Sequence, residues 1–167
     1  QDLEARGLDL PLLIRFSDVL KDRIRRLNEC FLRSIREYDY PGTYRGVFPV
    51  KVNQKREVVD ELVAAGRPRG MGLEAGSKGE LAIALSHKLD PDALIICNGY
   101  KDAPYVRMAL RGVELGKRVF LIVEKPQEIA LIQRVSQEAG VKPFLGVRIR
   151  LRARGSGKWE KSGGTEA

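Results

Sequence analysis

A regular alternation between short apolar runs and helical patterns constrains the fold of this chain more than any other feature. Apolar runs typical of strands lie at 46–52, 71–75, 93–97, 118–123 and 143–151. Between them, apolar residues at helical spacing predict helices at 57–65, 78–87, 104–115 and 127–139. Strands that alternate with helices in this way form parallel sheets through right-handed crossovers. The sequence therefore predicts an α/β protein with about five parallel strands, which we expect to be covered on both faces.

Two architectures fit this alternation, an open doubly wound sheet and a (β/α)8 barrel. A closed barrel needs about 250 residues, so a chain of 167 residues would form only its first part. Helical spacing from 16 to about 38, with Ser17 as the expected N-cap, predicts a helix before the first strand. We expect an N-terminal helical segment at 1–42, the first part of the barrel at 43–151 and an incomplete tail at 152–167.

The composition indicates a soluble globular protein, with 43% hydrophobic and 31% charged residues and no apolar run long enough to span a bilayer. The net charge of +8 raises the possibility of a nucleic-acid partner. The basic residues are divided between an early helix and the C-terminal segment, and no nucleic-acid module is recognisable. Two cysteines and no signal-peptide pattern are typical of a cytoplasmic protein with reduced thiols. We therefore expect neither a nucleic-acid nor a membrane partner.

Polar side chains follow the predicted strands one after another. Because the carboxyl ends of parallel strands form the ligand-binding face of α/β proteins, we expect these side chains to share one rim. For Glu74 and Asn98, a role in ligand binding and an ordinary place at the start of a loop both remain open. For Glu124 we favour the ordinary loop residue. The positions, in strand order, are Lys51, Glu74, Asn98, Glu124, and Arg148 with Arg150.

Lys51 is the most informative of these residues, because it stands at the end of an apolar run immediately before a helix. We expect its amine to be partly buried, and burial disfavours the ammonium form. A free amine at neutral pH is the nucleophile that forms Schiff bases with aldehydes. The pattern therefore indicates a covalently bound aldehyde cofactor, and the alternative is an ordinary surface lysine at a strand end.

Other motifs give no support to different chemistry. The sequence GSGK at 155–158 fails the nucleotide-binding P-loop pattern, because Arg152 replaces the first glycine and Trp159 the Ser or Thr. The single histidine, His87, lies at a predicted helix end, where it can bind carbonyl groups, and we expect no metal site. Cys97 ends a buried strand and is predicted to be a core residue.

The segment FPVKVNQ at 48–54 resembles the biosynthetic arginine decarboxylases, a family of fold-type III pyridoxal-phosphate enzymes. Further segments of the same resemblance follow in order along essentially the whole chain. They are GLEAGSK at 72–78, ICNGYKD at 96–102, GVRIRL at 146–151, GKW at 157–159 and SGG at 162–164.

The resemblance implies a (β/α)8 barrel of the alanine racemase kind that carries pyridoxal 5'-phosphate at its C-terminal mouth. Lys51 matches the lysine that forms the Schiff base and is the expected catalytic residue. Glu74, Asn98 and Arg148 are the other expected cofactor-binding residues. The implied reaction converts L-arginine to agmatine and CO2 in polyamine biosynthesis. The resemblance also implies a possible Mg²⁺ ion and a homo-oligomer of the full-length protein.

The same resemblance places the phosphate-binding loop, the partner of the pyridine nitrogen and a β-strand domain beyond residue 167. We therefore expect negligible decarboxylase activity from residues 1–167 alone. Three alternatives remain open: a pyridoxal-phosphate-binding barrel without catalysis, a decarboxylase for another basic amino acid, and a nucleic-acid-binding module. The long N-terminal helix and the GKW segment argue against the first of these.

Overall fold

In a computed structural model of the chain, residues 2–9 and 11–149 are described. A short helix, α1, precedes a long helix, α2, and five strands then alternate with four helices. The elements are α1 (Asp2–Ala5), α2 (Ser17–Glu37), β1 (Val47–Pro49), α3 (Arg56–Gly66), β2 (Gly72–Ala75), α4 (Lys78–Ser86), β3 (Leu94–Cys97), α5 (Ala103–Glu114), β4 (Arg118–Val123), α6 (Gln127–Ala139) and β5 (Phe144–Val147). No helix among these residues is both long enough and apolar enough to cross a membrane.

The five strands form one parallel sheet in the order β1-β2-β3-β4-β5. Each strand pairs with the next one along the chain, as Leu73 with Ile95 and Ile95 with Val119 show. A doubly wound sheet reverses its strand order at a switch point, whereas sequential order with right-handed crossovers keeps all helices on one side. The predicted α/β class is therefore confirmed, and the strand order identifies the sheet as part of a (β/α)8 barrel.

The two faces of the sheet differ in burial. Leu73, Ile95, Val119 and Leu121 face the helices and are each at most 2% exposed. Their neighbours on the opposite face are only partly buried, as the alternating pattern of β3 and β4 shows. Within the described residues the expected covering on both faces is met on the helix side only, because these five strands are part of a barrel and do not close its interior side.

Helix α2 packs against α3, the first helix of the barrel pattern. Ion pairs join α2 and the segment just before it to α3. Arg15 pairs with Glu57 at 2.9 Å, and Lys21 pairs with Glu61 at 3.4 Å. The predicted N-cap is wrong, because Phe16 occupies the cap position and Ser17 is already helical.

Strand β1 is shorter than its apolar pattern predicts. It ends at Pro49, and residues Val50–Val52 form a 3-10 turn instead. Proline has no N–H with which to extend the ladder of hydrogen bonds, and its fixed φ suits the start of a turn. The last strand ends at Val147, and the predicted end at 151 lies outside the described residues.

Candidate active site

The carboxyl ends of the strands open onto a cleft of about 720 Å³ on the barrel-interior side of the sheet. Four of the predicted site residues line it, although they come from distant parts of the sequence. They are Lys51 in the turn after β1, Glu74 in β2, Asn98 directly after β3 and Arg148 directly after β5. Arg150 lies outside the described residues. Parallel pairing in sequential order brings these four side chains to the same end of the sheet.

The Lys51 amine projects into this cleft. Its side chain is 64% exposed, and Nζ lies 3.9 Å from Oε1 of Glu74, whose side chain is 15% exposed. The predicted burial of Lys51 is therefore wrong. The 3-10 turn gives the buried position to Val50, which is fully buried, and directs the next residue outward. The amine is accessible to a ligand and has one carboxylate beside it.

Two glycine-containing loops form part of the wall of this cleft. Gly99 has φ of +77°, and a Cβ atom there would lie 2.5 Å from the carbonyl oxygen of Gly76. Only glycine permits both this left-handed conformation and this close backbone contact. The loops after β2 and β3 are thus held in direct contact beside Glu74 and Asn98.

Glu80 also lines the cleft, and no role was predicted for it. Its Oε2 accepts a hydrogen bond from the Gly76 N–H at 2.9 Å, and its Oε1 accepts one from the Ser77 hydroxyl at 2.9 Å. The signal was present in the sequence, since Ser77 and Glu80 have the three-residue spacing of a capping box at the start of α4. Glu80 fixes the loop that carries Gly76.

Glu124 joins two loops at the edge of the cleft through its carboxylate. Its Oε1 accepts a hydrogen bond from the Gly99 N–H at 2.7 Å, and its Oε2 accepts one from Nη1 of Arg148 at 3.4 Å. Glu124 itself does not line the cleft, and the ordinary loop residue favoured from sequence stays a prediction. Glu124 links the loop after β3 to the arginine after β5 at the edge of the cleft.

The remaining candidates lie away from this end of the sheet or serve the core. Nδ1 of His87 lies 2.7 Å from the Ile83 carbonyl oxygen and Nε2 lies 3.0 Å from Asp60, as expected for a structural histidine at a helix end. Cys97 is fully buried in the core. The segment GSGK at 155–158 lies outside the described residues. Within residues 2–9 and 11–149, no group of three or more His, Cys, Asp or Glu side chains is arranged to hold a metal ion.

Comparison with known proteins places this arrangement in a family. Residues 23–167 match the model described as "Pyridoxal-dependent decarboxylase, pyridoxal binding domain". The chain is 56% identical over 167 residues to the biosynthetic arginine decarboxylase of Gloeobacter violaceus, covering 100% of this chain and 26% of that protein. It is 52% identical over 165 residues to the biosynthetic arginine decarboxylase of a Nostoc species, covering 99% of this chain and 24% of that protein.

A solved structure agrees with these relatives. The crystal structure of the biosynthetic arginine decarboxylase of Campylobacter jejuni superposes with a TM-score of 0.83 at 32% identity, covering 91% of this chain and 26% of that one. The chain thus spans about a quarter of the length of the relatives it matches. The match to the family model extends over most of its residues, including all the cleft-lining side chains described above. The chain belongs to the family of pyridoxal-dependent decarboxylases and carries their pyridoxal-binding domain.

Proposed function

We propose that this chain is the part of an arginine decarboxylase that holds pyridoxal phosphate covalently through Lys51. The observation that carries the proposal is the exposed Lys51 amine at the carboxyl end of the sheet, 3.9 Å from Glu74, in a cleft of about 720 Å³. That space suits a small cofactor together with part of an amino acid, since ligand pockets commonly measure about 300–1,000 Å³.

The side chains of the cleft fit this cofactor in charge as well as in space. Lys51 offers the amine that bonds to an aldehyde carbon. Arg148 supplies a positive charge on the opposite side of the cleft, where an anionic group of the cofactor or substrate can bind. Glu74 stands beside the amine, with Oε1 3.9 Å from Lys51 Nζ. The cofactor-binding roles of Lys51, Glu74, Asn98 and Arg148 are part of this proposal.

In the proposed reaction, the residues of the cleft orient the cofactor and the substrate. When bound, pyridoxal phosphate supplies the electron sink that accepts the electron pair released as the bond from Cα to the carboxylate breaks. Lys51 and Glu74 would hold the reacting end within the cleft, while Asn98 and the Gly76 and Gly99 backbone would limit its movement. Ile96 and Ile122 line the same cleft and add apolar surface to it.

Arginine as the substrate rests on the relatives, whose names specify it. Within the described part of the chain, the cleft-lining carboxylates are Glu74 and Glu80, and both have polar partners already. The carboxylates that would recognise a guanidinium group are therefore expected elsewhere in the protein. Cytoplasmic location, homo-oligomer formation and the division at residues 42 and 151 belong to the same proposal. The expected Mg²⁺ ion gains no support from the described residues.

Product analysis with the complete gene product tests this function. We expect agmatine and CO2 from L-arginine, with little or no amine formed from ornithine or lysine, as measured by mass spectrometry. Residues 1–167 alone are expected to produce no measurable agmatine. Amine formation from ornithine or lysine but not from arginine would favour the other basic amino-acid decarboxylases. Tight cofactor binding without any decarboxylation would favour a non-catalytic binding protein.

A further inference from the structure

A buried ion pair lies directly beneath the rim of the cleft. The Lys101 side chain is 0% exposed and that of Glu128 is 7% exposed, and Nζ lies 3.4 Å from Oε2. We call these two residues the rim ion pair. Removing two charges from water is costly, and apolar side chains of similar volume often give equal or greater stability. A contribution to stability is therefore a weak explanation for the rim ion pair, and its contacts suggest a different one.

The rim ion pair connects two loops at the carboxyl end of the sheet. Lys101 Nζ donates a hydrogen bond to the Gly99 carbonyl oxygen at 2.8 Å, in the loop after β3. Glu128 Oε2 accepts hydrogen bonds from the N–H groups of Glu124 at 2.8 Å and Lys125 at 3.4 Å, in the loop after β4. Each member of the pair therefore fixes the backbone of one loop.

A second bond between the same loops closes a ring of contacts. The Gly99 N–H donates to Glu124 Oε1, so both polar groups of the Gly99 backbone are fixed, one by Glu124 and one by Lys101. The other oxygen of Glu124 accepts the hydrogen bond from Arg148. Gly99 in turn lies against Gly76. Lys101 thus contacts the Gly99 backbone directly. Glu128 is connected to the cleft-lining Arg148 through one intervening residue, Glu124.

We propose that Lys101 and Glu128 are positioning residues that hold Gly99, Glu124 and, through Glu124, Arg148 in the geometry that binds the cofactor. The proposal rests on the proposed function of the cleft. Neither side chain lines the cleft itself, so their action is to fix the two loops before a ligand arrives. Fixing them in advance lowers the ordering cost of binding.

The test compares Lys101→Met with a matched control from the neighbouring helices. Arg107 and Glu138 form an ion pair between α5 and α6, with Nη2 3.2 Å from Oε2. Both side chains are about half exposed and neither lines the cleft. In the complete gene product, we expect K101M to accelerate hydrogen exchange at the Gly99 and Glu124 amides. We also expect it to weaken pyridoxal phosphate binding by roughly tenfold or more, because small misplacements of site groups carry large penalties. R107M should change neither quantity.

A double variant separates positioning from stability. K101M leaves Glu128 buried without its cation, so a lower melting temperature is expected from that variant. K101M/E128Q removes both charges but keeps an oxygen that can accept from the Glu124 N–H. We expect the melting temperature to recover in K101M/E128Q while the cofactor affinity stays low. If K101M does not fold, E128Q and K101M/E128Q provide the same comparison.

Each outcome has a definite meaning. Unchanged amide exchange in the variants, or faster exchange with unchanged cofactor affinity, would refute the positioning role. Recovery of affinity together with melting temperature would show a merely structural pair and refute it as well. If the unsubstituted protein bound no pyridoxal phosphate, the proposed function and this inference would both fail. Equal binding by wild type and K101M would refute this inference alone, so the two results are distinguishable.

Discussion

At the scale of single residues, burial determines the chemistry of the Cys97 thiol. Burial raises the pKa of Cys97 to about 11, against the opposing effects of the Tyr105 hydrogen bond and the charge of Lys101. Burial also raises the pKa of Tyr105. The Tyr105 hydroxyl donates to the Ala75 carbonyl oxygen at 2.8 Å and so ties the end of β2 to α5. These two groups are neutral members of the core beneath the cleft.

The raised pKa of Cys97 predicts a loss of stability at alkaline pH. In the unfolded chain the thiol ionises near its ordinary pKa of 9.0, whereas in the folded protein it ionises near 11. Its contribution is therefore fully present below pH 9 and is lost as the pH rises towards 11. The full loss over this rise in pKa should be about 3 kcal/mol in urea unfolding, at about 1.4 kcal/mol for each pKa unit.

Alanine substitutions of the two cysteines provide the comparison. Cys97→Ala should flatten the decline of unfolding free energy between the ordinary thiol pKa of 9.0 and the folded value of about 11, whereas Cys30→Ala, at an exposed position, should leave it unchanged. Parallel declines in wild type and C97A would contradict the assignment to Cys97.

At the scale of elements, close backbone packing between β2 and β3 limits the side chain at the start of β2. A Cβ atom on Gly72 would lie 1.9 Å from the carbonyl oxygen of Leu94, which is backbone and cannot rotate away. The Gly72 N–H also donates to the Gly46 carbonyl oxygen at 2.8 Å on the other side. Strand β2 therefore lies between β1 and β3 and cannot shift to make room for a side chain at Gly72.

Gly72→Ala should therefore destabilise the fold by about 2 kcal/mol or more, because overpacking of this kind displaces backbone. Gly79→Ala is the matched control. Gly79 lies in the first turn of α4, and a Cβ atom added there would meet open space, so alanine should stabilise the helix by about 0.5–1 kcal/mol. Thermal or urea unfolding measures both. A G72A protein as stable as wild type would contradict the packing of β2 against β3.

Most elements could be predicted from local pattern, and the exceptions have physical causes. The bounds of β4 and α6 agree with the prediction, since apolar spacing and a C-terminal glycine, Gly140, define them locally. Lys51, Asn98 and Arg148 could be predicted because each follows a strand, and Glu74 because it lies near the end of β2. Glu80 was missed because it lies in helix α4. The contact between Lys101 and Glu128 could not, because it joins residues that are distant in sequence and depends on the packing of α5 beside α6.

At the scale of the whole molecule, strand order explains both the fold and the difference in burial between the two faces of the sheet. Sequential parallel strands place every helix on one side, so the other side becomes the interior of a barrel. The apolar strand runs alone favoured two covered faces. Strand β5 lies at the edge of the sheet, and there Leu145, which pairs in register with the buried Leu121, is 52% exposed and Val147 is 75% exposed. The pattern of a single strand cannot distinguish a barrel wall from a doubly wound sheet, because both are covered on two faces, and only pairing order does so.

Lys51, as the residue that holds the cofactor, is the centre of the proposed function. The direct measurement is borohydride reduction of the complete gene product with pyridoxal phosphate, followed by proteolysis and mass spectrometry of the labelled peptide. We expect the label on the peptide that contains Lys51, its loss in Lys51→Ala, and its retention in Lys55→Ala, a change at a nearby exposed lysine. Labelling of another lysine in wild type, or unchanged labelling of K51A, would contradict the assignment of Lys51.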